Sequence, residues 1–268
     1  MPHDGKDELA RALPGADSQL GLFPARITTR YPSSPIGKDY AFLCEAGNEG
    51  TFHCKTDSLG KPARANEWIG QSIAYHLGIP VPEFRVIEDS DGETYFGSRE
   101  IISTALPMDV VHFLSHPKKD ELGRVSEWLG RRLSGLTALD LLLGNPDRTI
   151  QNFVFVPDGT TRKLCAIDFA DIDLKLLSSD RFPIVGTNTM RHGRFLRSRH
   201  GFFADSALEM VDRIEAVPLG LIEGILRGMP DDWMDGDQRN DIVDAWSGNQ
   251  IAARLSVLRT GLSDESFL

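Results

Sequence analysis

The feature that most constrains the fold is a loop in the middle of the chain, between a long helix and a hairpin. An amphipathic pattern over 126–143 predicts the helix, which the segment Gly144-Asn-Pro146 must end because proline cannot continue it. Two short apolar runs, 153–156 and 163–167, then predict a hairpin. This hairpin would bring Asn152 and Asp168 together at its two outer ends.

The polar residues of this region have the spacing of a phosphoryl-transfer centre. Asn152 follows Asp147 by five positions, and Asp168 follows sixteen residues after that. Phosphoryl transfer requires a carboxylate that positions the attacking hydroxyl, and oxygen ligands for the magnesium that neutralises the phosphates. The series therefore predicts a kinase in which Asp147 is the catalytic base and in which Asn152 and Asp168 bind Mg²⁺. Ala170 stands where kinases most often have glycine.

Two charged residues upstream complete this interpretation. Lys55 ends a predicted strand, and Glu67 follows twelve positions later in a predicted helix. A strand lysine would contact the nucleotide phosphates, and a helix glutamate would pair with it and hold it extended. Either residue alone could be an ordinary surface residue. The prediction of a nucleotide-binding pair therefore depends on the order of the two residues along the chain, before Asp147.

A segment rich in small residues, Tyr31-Pro-Ser-Ser-Pro-Ile-Gly-Lys38, precedes the first predicted strand. Its backbone amides and hydroxyls would lie over the phosphates of a nucleotide. The candidate nucleotide-binding residues here are Ser33, Ser34, Gly37 and Lys38. The spacing is not that of a Walker A loop, and a plain connector is the alternative interpretation.

The remaining pattern predicts strands first and helices later. The predicted strands of the N-terminal half are 40–44, 51–55, 84–87 and 94–97, and the helix between the two pairs is 63–77. After residue 205 the predicted helices are 208–217, 219–227 and 241–262. Residues 1–25 have no sustained periodicity and are expected to form a flexible arm.

Short motifs in this order resemble those of the HipA-like kinases, in particular the short single-module branch, and more distantly those of the phosphoinositide kinases. The resemblance covers about 33–173. Its motifs are Phe52-His-Cys-Lys55, Ala65-Asn-Glu-Trp68, Leu77-Gly-Ile-Pro-Val-Pro82, Phe96-Gly-Ser98, Leu143-Gly-Asn-Pro-Asp-Arg148 with Asn152, and Ala166-Ile-Asp-Phe169. Thr149 stands where related chains have histidine, so no role of that ring is expected here.

The resemblance implies an α+β, protein-kinase-like bilobal fold that uses ATP and Mg²⁺. The implied N-lobe, 26–103, has a small antiparallel sheet with one main helix, and the implied C-lobe, 104–268, is mainly helical. Lys55 would contact ATP, Glu67 would orient Lys55, and transfer would most often be to serine or threonine hydroxyls of a protein. Adenine would bind where the lobes join, near Arg99, Glu100 and Ile101.

Composition excludes several other classes of protein. A formal net charge of -10 argues against non-specific nucleic-acid binding, which requires a basic face. No apolar run approaches a membrane span and the first residues do not resemble a signal peptide, so a cytoplasmic protein is expected. Three cysteines without a paired motif are expected to be reduced core residues.

One basic segment stands out in this acidic chain, where Arg191, Arg194, Arg197 and Arg199 follow the predicted metal-binding region. We expect this 191–199 segment to be a loop that is either solvated or able to bind an acidic or phosphorylated ligand. Two alternatives to an active protein kinase stay open at this point. They are a nucleotide-binding pseudokinase that acts through a partner, and a kinase of a small molecule.

Overall fold

The computed structural model of the protein describes residues 23–32, 40–47, 49–57, 60–101, 107–117, 119–158, 161–174 and 182–268. Its strands are β1 (Ala25–Tyr31), β2 (Tyr40–Ala46), β3 (Thr51–Lys55), β4 (Phe84–Glu88), β5 (Thr94–Arg99), β6 (Phe153–Asp158) and β7 (Thr161–Ala166). Its helices are α1 (Ala63–His76), α2 (Pro107–Ser115), α3 (Glu127–Leu142), α4 (Asn188–His200), α5 (Ala204–Glu215), α6 (Leu219–Arg227), α7 (Gly236–Ser247) and α8 (Asn249–Ser263).

The first five strands form a closed barrel in the order β1, β2, β3, β5, β4. Neighbouring strands are antiparallel except at the closure, where Ala25 and Arg26 of β1 pair in parallel with β4. Aromatic and cysteine side chains fill the interior, among them Phe42, Cys44, Phe52, Cys54 and Tyr95. The predicted strands are confirmed, but β1 was not predicted, because most of its side chains are exposed and polar.

Helix α1 lies between this barrel and the rest of the chain and confirms the helix predicted at 63–77. Its inner face is buried, and Trp68 packs edge to face on Phe84 of β4. A Cβ atom at Gly70 would lie 2.5 Å from the Cβ of Phe169. The absence of a side chain at Gly70 therefore lets the segment after β7 lie directly against α1.

The helices of the C-terminal half pack around α3, which contacts α4, α5 and α8. The helix predicted over 241–262 is wrong in one respect, because two helices, α7 and α8, meet there at Gly248. A Cβ atom at Gly248 would lie 2.9 Å from the carbonyl oxygen of Asp244, so the chain turns at the residue without a side chain. Helix α7 begins at Gly236, because the Asp235 side chain caps that helix by accepting from Gln238 N–H.

The arginine-rich segment 191–199 is part of helix α4, so the prediction of a loop is wrong. Thr187 caps the helix by accepting from the backbone N–H of Met190. Buried residues recur at helical spacing on its inner side: Thr189, Met190, His192, Gly193, Leu196 and His200. The arginines occupy its exposed side, which hid the apolar periodicity in the sequence.

Two expectations from composition can be compared with the structure. The cysteines Cys44, Cys54 and Cys165 are buried and reduced, as predicted. No helix in the described ranges is long and apolar enough to cross a membrane. The residues Ser33, Ser34, Gly37 and Lys38 lie outside the described residues, as does the predicted arm apart from 23–25, of which Ala25 belongs to β1.

Candidate active site

Lys55, Glu67 and Asp168 meet between the barrel and the helical half. The ammonium group of Lys55, at the end of β3, donates to Glu67 Oε1 of α1 and to Asp168 Oδ1 at 2.8 Å. Glu67 is fully buried, and its second oxygen accepts from the side-chain amide of Gln71 at 3.0 Å. The two carboxylates therefore hold the lysine side chain in one extended position.

The opposite charges in this cluster stabilise the charged forms of Lys55 and Asp168 more than burial destabilises them. Burial disfavours the charged lysine, but the neighbouring Glu67 and Asp168 carboxylates outweigh it and raise the pKa of Lys55. Burial likewise disfavours the Asp168 carboxylate, and the Lys55 ammonium outweighs it, so that the pKa of Asp168 is lowered. Both groups are charged near neutral pH, as phosphate and metal binding require.

Asp168 follows β7 in an unusual backbone conformation, with φ 66°. Left-handed backbone is uncommon for residues with side chains, although aspartate tolerates it better than most. The turn directs the carboxylate to Lys55 on one side, and to the side-chain amide of Asn152, which donates to Asp168 Oδ2 at 2.8 Å, on the other. The outer ends of the β6–β7 hairpin therefore do bring Asn152 and Asp168 together.

The side chains of Asp168 and Asn152 fit a magnesium ion whose coordination is completed by the phosphates of a substrate. Within the described ranges there is no group of three or more His, Cys, Asp or Glu residues that could hold a metal by itself. Mg²⁺ typically takes one or two protein oxygens and retains water and phosphate ligands, which suits Asp168 with Asn152. In this conformation the Asn152 amide oxygen accepts from Thr149 N–H at 2.7 Å and from its hydroxyl at 2.8 Å, so the amide must turn to offer its oxygen to a metal.

Asp147 lies on the loop after α3, and it is exposed to solvent. Its backbone N–H donates to the Asn145 side chain at 3.2 Å. Its carboxylate accepts a hydrogen bond of 2.5 Å from Asn188 Nδ2, in the first turn of α4. One carboxylate oxygen is thus held in place while the side chain stays accessible to an incoming hydroxyl.

The buried side chain of Arg148 holds the backbone of the Asp147 loop in place. Its guanidinium, 1% exposed, forms a double hydrogen bond with the fully buried Asp140 of α3, at 2.8 and 2.9 Å. It also donates to the carbonyl oxygens of Asn152 and Ile167, the residues that flank the hairpin. A single side chain therefore ties α3, the Asp147 loop and the approach to Asp168 together.

Further contacts hold the neighbouring segments. Thr189 donates to the Asn145 carbonyl oxygen at 2.5 Å and accepts from Arg148 N–H at 3.0 Å. Asn66 of α1, which is buried, donates to the carbonyl oxygens of Ala170 and Ile172. The sequence analysis missed Asp140, Asn188 and Thr189. Asp140 is detectable as a lone acid inside an apolar helix pattern, but no local signal marks the other two.

The residues predicted near adenine, Arg99, Glu100 and Ile101, lie at the end of β5 and directly after it. Arg99 pairs with Phe52 in the barrel while Lys55 pairs with Phe96, so the two basic residues lie at opposite ends of the β3–β5 ladder. The Arg99 guanidinium forms an ion pair with Glu83. Glu100 donates its backbone N–H to Thr51 at 2.7 Å, and Ile101 is half-buried.

A search of curated proteins finds no significant match to this chain. Among solved structures, the Helicobacter pylori proinflammatory kinase CtkA is similar, with a TM-score of 0.55 and 12% identity over 91% of this chain and 99% of that one. HipA from the Shewanella oneidensis MR-1 toxin-antitoxin complex with HipB and operator DNA gives a TM-score of 0.45 and 13% identity, over 89% and 67%. The likeness to CtkA supports a kinase fold.

A family model described as HipA-like kinase matches residues 27–172, more than half of the chain. The matched range includes Lys55, Glu67, Asp147, Asn152 and Asp168. The chain belongs to the HipA-like kinase family.

Proposed function

We propose that this protein is an ATP- and magnesium-dependent kinase that transfers the γ-phosphoryl group to a hydroxyl, most often that of a serine or threonine in a protein. The observation that carries the proposal is the contact of Lys55 with both Glu67 and Asp168. A lysine held between two carboxylates is costly to bury, and it provides a fixed cation for phosphate oxygens. Asn152, which contacts Asp168, and Asp147, five positions before it, supply the other residue types that transfer needs.

In this proposal the barrel and α1 form the nucleotide-binding lobe, 26–103, and the helical half, 104–268, forms the second lobe. ATP would bind between them, with its adenine against the backbone near Glu100 and Ile101. Ser33, Ser34, Gly37 and Lys38 remain candidates for covering the phosphates, on sequence alone. The free cysteines agree with a reducing, cytoplasmic environment.

Each residue then has a defined chemical task. The Lys55 ammonium binds phosphate oxygens, and Glu67 keeps it extended. Magnesium, when bound, would neutralise charge on the phosphates, and Asp168 and Asn152 would hold it. Asp147 accepts a hydrogen bond from the acceptor hydroxyl and takes its proton as the oxygen forms its bond to the γ-phosphorus and the bond from that phosphorus to the ADP leaving group breaks. Asn188 keeps the Asp147 side chain from rotating away.

The test asks whether the strengthening of ATP binding by magnesium depends on Asp168. ATP affinity is measured by calorimetry with and without magnesium, in the wild type, in Asp168→Ala and in Asp91→Ala, a control that removes an exposed carboxylate from a distant turn. We expect magnesium to strengthen ATP binding in the wild type and the control but not in Asp168→Ala. Equal magnesium dependence in all three proteins would remove Asp168 from the metal site and contradict the proposal.

A further inference from the structure

Helix α4 contains a cation, Arg191, that is connected to the proposed catalytic base, Asp147, through one intervening side chain. Asn188 Nδ2 contacts Asp147 Oδ1 at 2.5 Å, and Arg191 Nη1 donates to Asn188 Oδ1 at 3.3 Å. The three residues form a chain from the catalytic loop to the exposed side of the helix. An acceptor whose hydroxyl reaches Asp147 therefore has its adjoining groups near Arg191.

Besides Arg197, three arginines of this helix are exposed, Arg191, Arg194 and Arg199, and the guanidinium of Arg199 lies over the ring of Phe195, 5.7 Å from its centroid. Within the described parts of the chain, neither Arg191 nor Arg194 forms an ion pair with a carboxylate, and both are exposed. Arg197, on the same helix, differs because it is paired with Glu265. In a chain of net charge -10, Arg191 is an exposed cation that contacts the side chain bound to Asp147, and Arg194 follows it by three positions, about one helical turn.

The other side of the Asp147 loop has the opposite charge. A groove of about 740 Å³ is bordered by Gly144 and Pro146 of that loop. Its acidic lining residues are Asp171, Asp173, Asp241 and Asp244, and its one lysine, Lys61, is already paired with Asp171. An anionic group on an acceptor would be repelled from this groove and attracted to α4.

We propose that Arg191 and Arg194 bind an anionic group of the acceptor, so that the preferred substrate is a protein segment in which an acidic or phosphorylated residue flanks the serine or threonine. This inference rests on the proposed function, because it assigns substrate preference to the same site. A guanidinium has five N–H donors, so Arg191 binds a carboxylate or phosphate while it keeps its contact with Asn188. Asn188 links the anion site to the catalytic carboxylate.

The experiment uses the full chain and synthetic peptides that differ only in the residues beside one serine: glutamate, phosphoserine, glutamine or lysine. Transfer from ATP gives kcat/KM for each peptide, and anisotropy of fluorescein-labelled peptides gives binding whether or not transfer occurs. The variants are Arg191→Gln, Arg194→Gln and the double variant. Arg197→Gln is the matched control, because it removes the same charge from the same helix at a position already paired with Glu265. Thermal melting verifies that each variant is folded.

We expect wild type and Arg197→Gln to favour the glutamate peptide over the glutamine peptide by about tenfold, the size of one good charge-assisted contact. The double variant should lose this preference. A larger effect with phosphoserine than with glutamate would identify a phosphorylated neighbour as the source of the anion. Competition by RNA, but by none of the peptides, would overturn the assignment to a protein acceptor.

The two proposals fail in different ways. Transfer to all peptides at equal rates, unchanged in the double variant, would overturn the anion site and leave the kinase proposal standing. Peptide binding that depends on Arg191 and Arg194, without any transfer and without ATP turnover, would overturn the kinase proposal and leave the anion site standing. Equal binding of glutamate and lysine peptides would also overturn the anion site.

Discussion

Arg148 and Asp140 form a buried ion pair that joins helix α3 to the loop of the proposed catalytic base. The guanidinium is 1% exposed and the carboxylate is fully buried, with contacts of 2.8 and 2.9 Å. The arginine sits over the ring of Phe169, 4.6 Å from its centroid, and so also borders the segment that carries Asp168. Stability and catalysis therefore depend on the same pair.

We expect Arg148→Met to lower the free energy of unfolding by about 3 to 5 kcal/mol, because it leaves the Asp140 charge buried with the Asn145 amide but without an opposite charge. Asp140→Leu should cost a similar amount for the converse reason. The double variant should be less destabilised than the sum of the two single variants, since it removes both charges. Urea unfolding of the four proteins measures this, and strict additivity would contradict the coupling.

Glu67→Gln tests whether the charge of Glu67, and not only its hydrogen bond, holds Lys55. Glutamine still accepts a hydrogen bond from the lysine, but it no longer favours the charged form of the ammonium. We expect kcat/KM for ATP to fall about tenfold or more, as for the loss of one charge-assisted contact. Glu83→Gln removes a carboxylate from the exposed pair with Arg99 and should leave activity unchanged. Equal effects of the two substitutions would contradict the role of Glu67.

Asn188→Ala tests the positioning of Asp147. The substitution removes the hydrogen bond to the catalytic carboxylate without touching the nucleotide-binding residues, so we expect kcat to fall about tenfold while KM for ATP stays constant. Because the side chain is exposed, the melting temperature should hardly change. Asn188→Asp should lower kcat further, because it places two carboxylates side by side. A rise in KM for ATP with constant kcat would assign Asn188 to nucleotide binding instead.

His192 should make stability depend on pH. It lies on the buried side of α4, and burial, together with the charge of Arg148, lowers its pKa to about 3. The unfolded chain has a histidine pKa of about 6.5, so it binds more protons than the folded chain between these values. The stability is complete above about pH 6.5 and is lost as the pH falls toward 3.

We therefore expect the wild type to lose about 2 kcal/mol of unfolding free energy from this residue between pH 7 and pH 5. His192→Leu should reduce the loss by that amount, whereas His116→Gln, a change at an exposed histidine, should not. Urea titrations at the two pH values give the comparison. An identical pH dependence in the wild type and His192→Leu would show that His192 is not buried as the neutral form.

Residues whose placement depends on local pattern could be predicted from the sequence. Asn152 and Asp168 lie together because turn residues and strand patterning define a hairpin between them. Lys55 and Glu67 follow from a strand end and a helix with clear apolar periodicity. These predictions required only the pattern of residues that are neighbours along the chain.

Residues placed by tertiary contacts could not be predicted in the same way. Asn188 reaches Asp147 across 41 residues of sequence, and Arg148 meets Thr189 across the same separation. The closure of the barrel also depends on contacts between distant segments. Strand β1 is held by pairing with β2 and β4, while its own side chains are mostly exposed. In each case the partner, and not the local pattern, determines the position.

The most direct test of the account is the intact mass of the purified protein after incubation with ATP and magnesium, beside Asp147→Ala, with phosphate release followed in parallel. We predict that the wild type gains about 80 Da, one phosphoryl group on a hydroxyl, and that the folded Asp147→Ala variant gains none. The same mass gain in both proteins would remove Asp147 from catalysis. No mass gain and no phosphate release in the wild type would contradict the assignment of kinase activity itself.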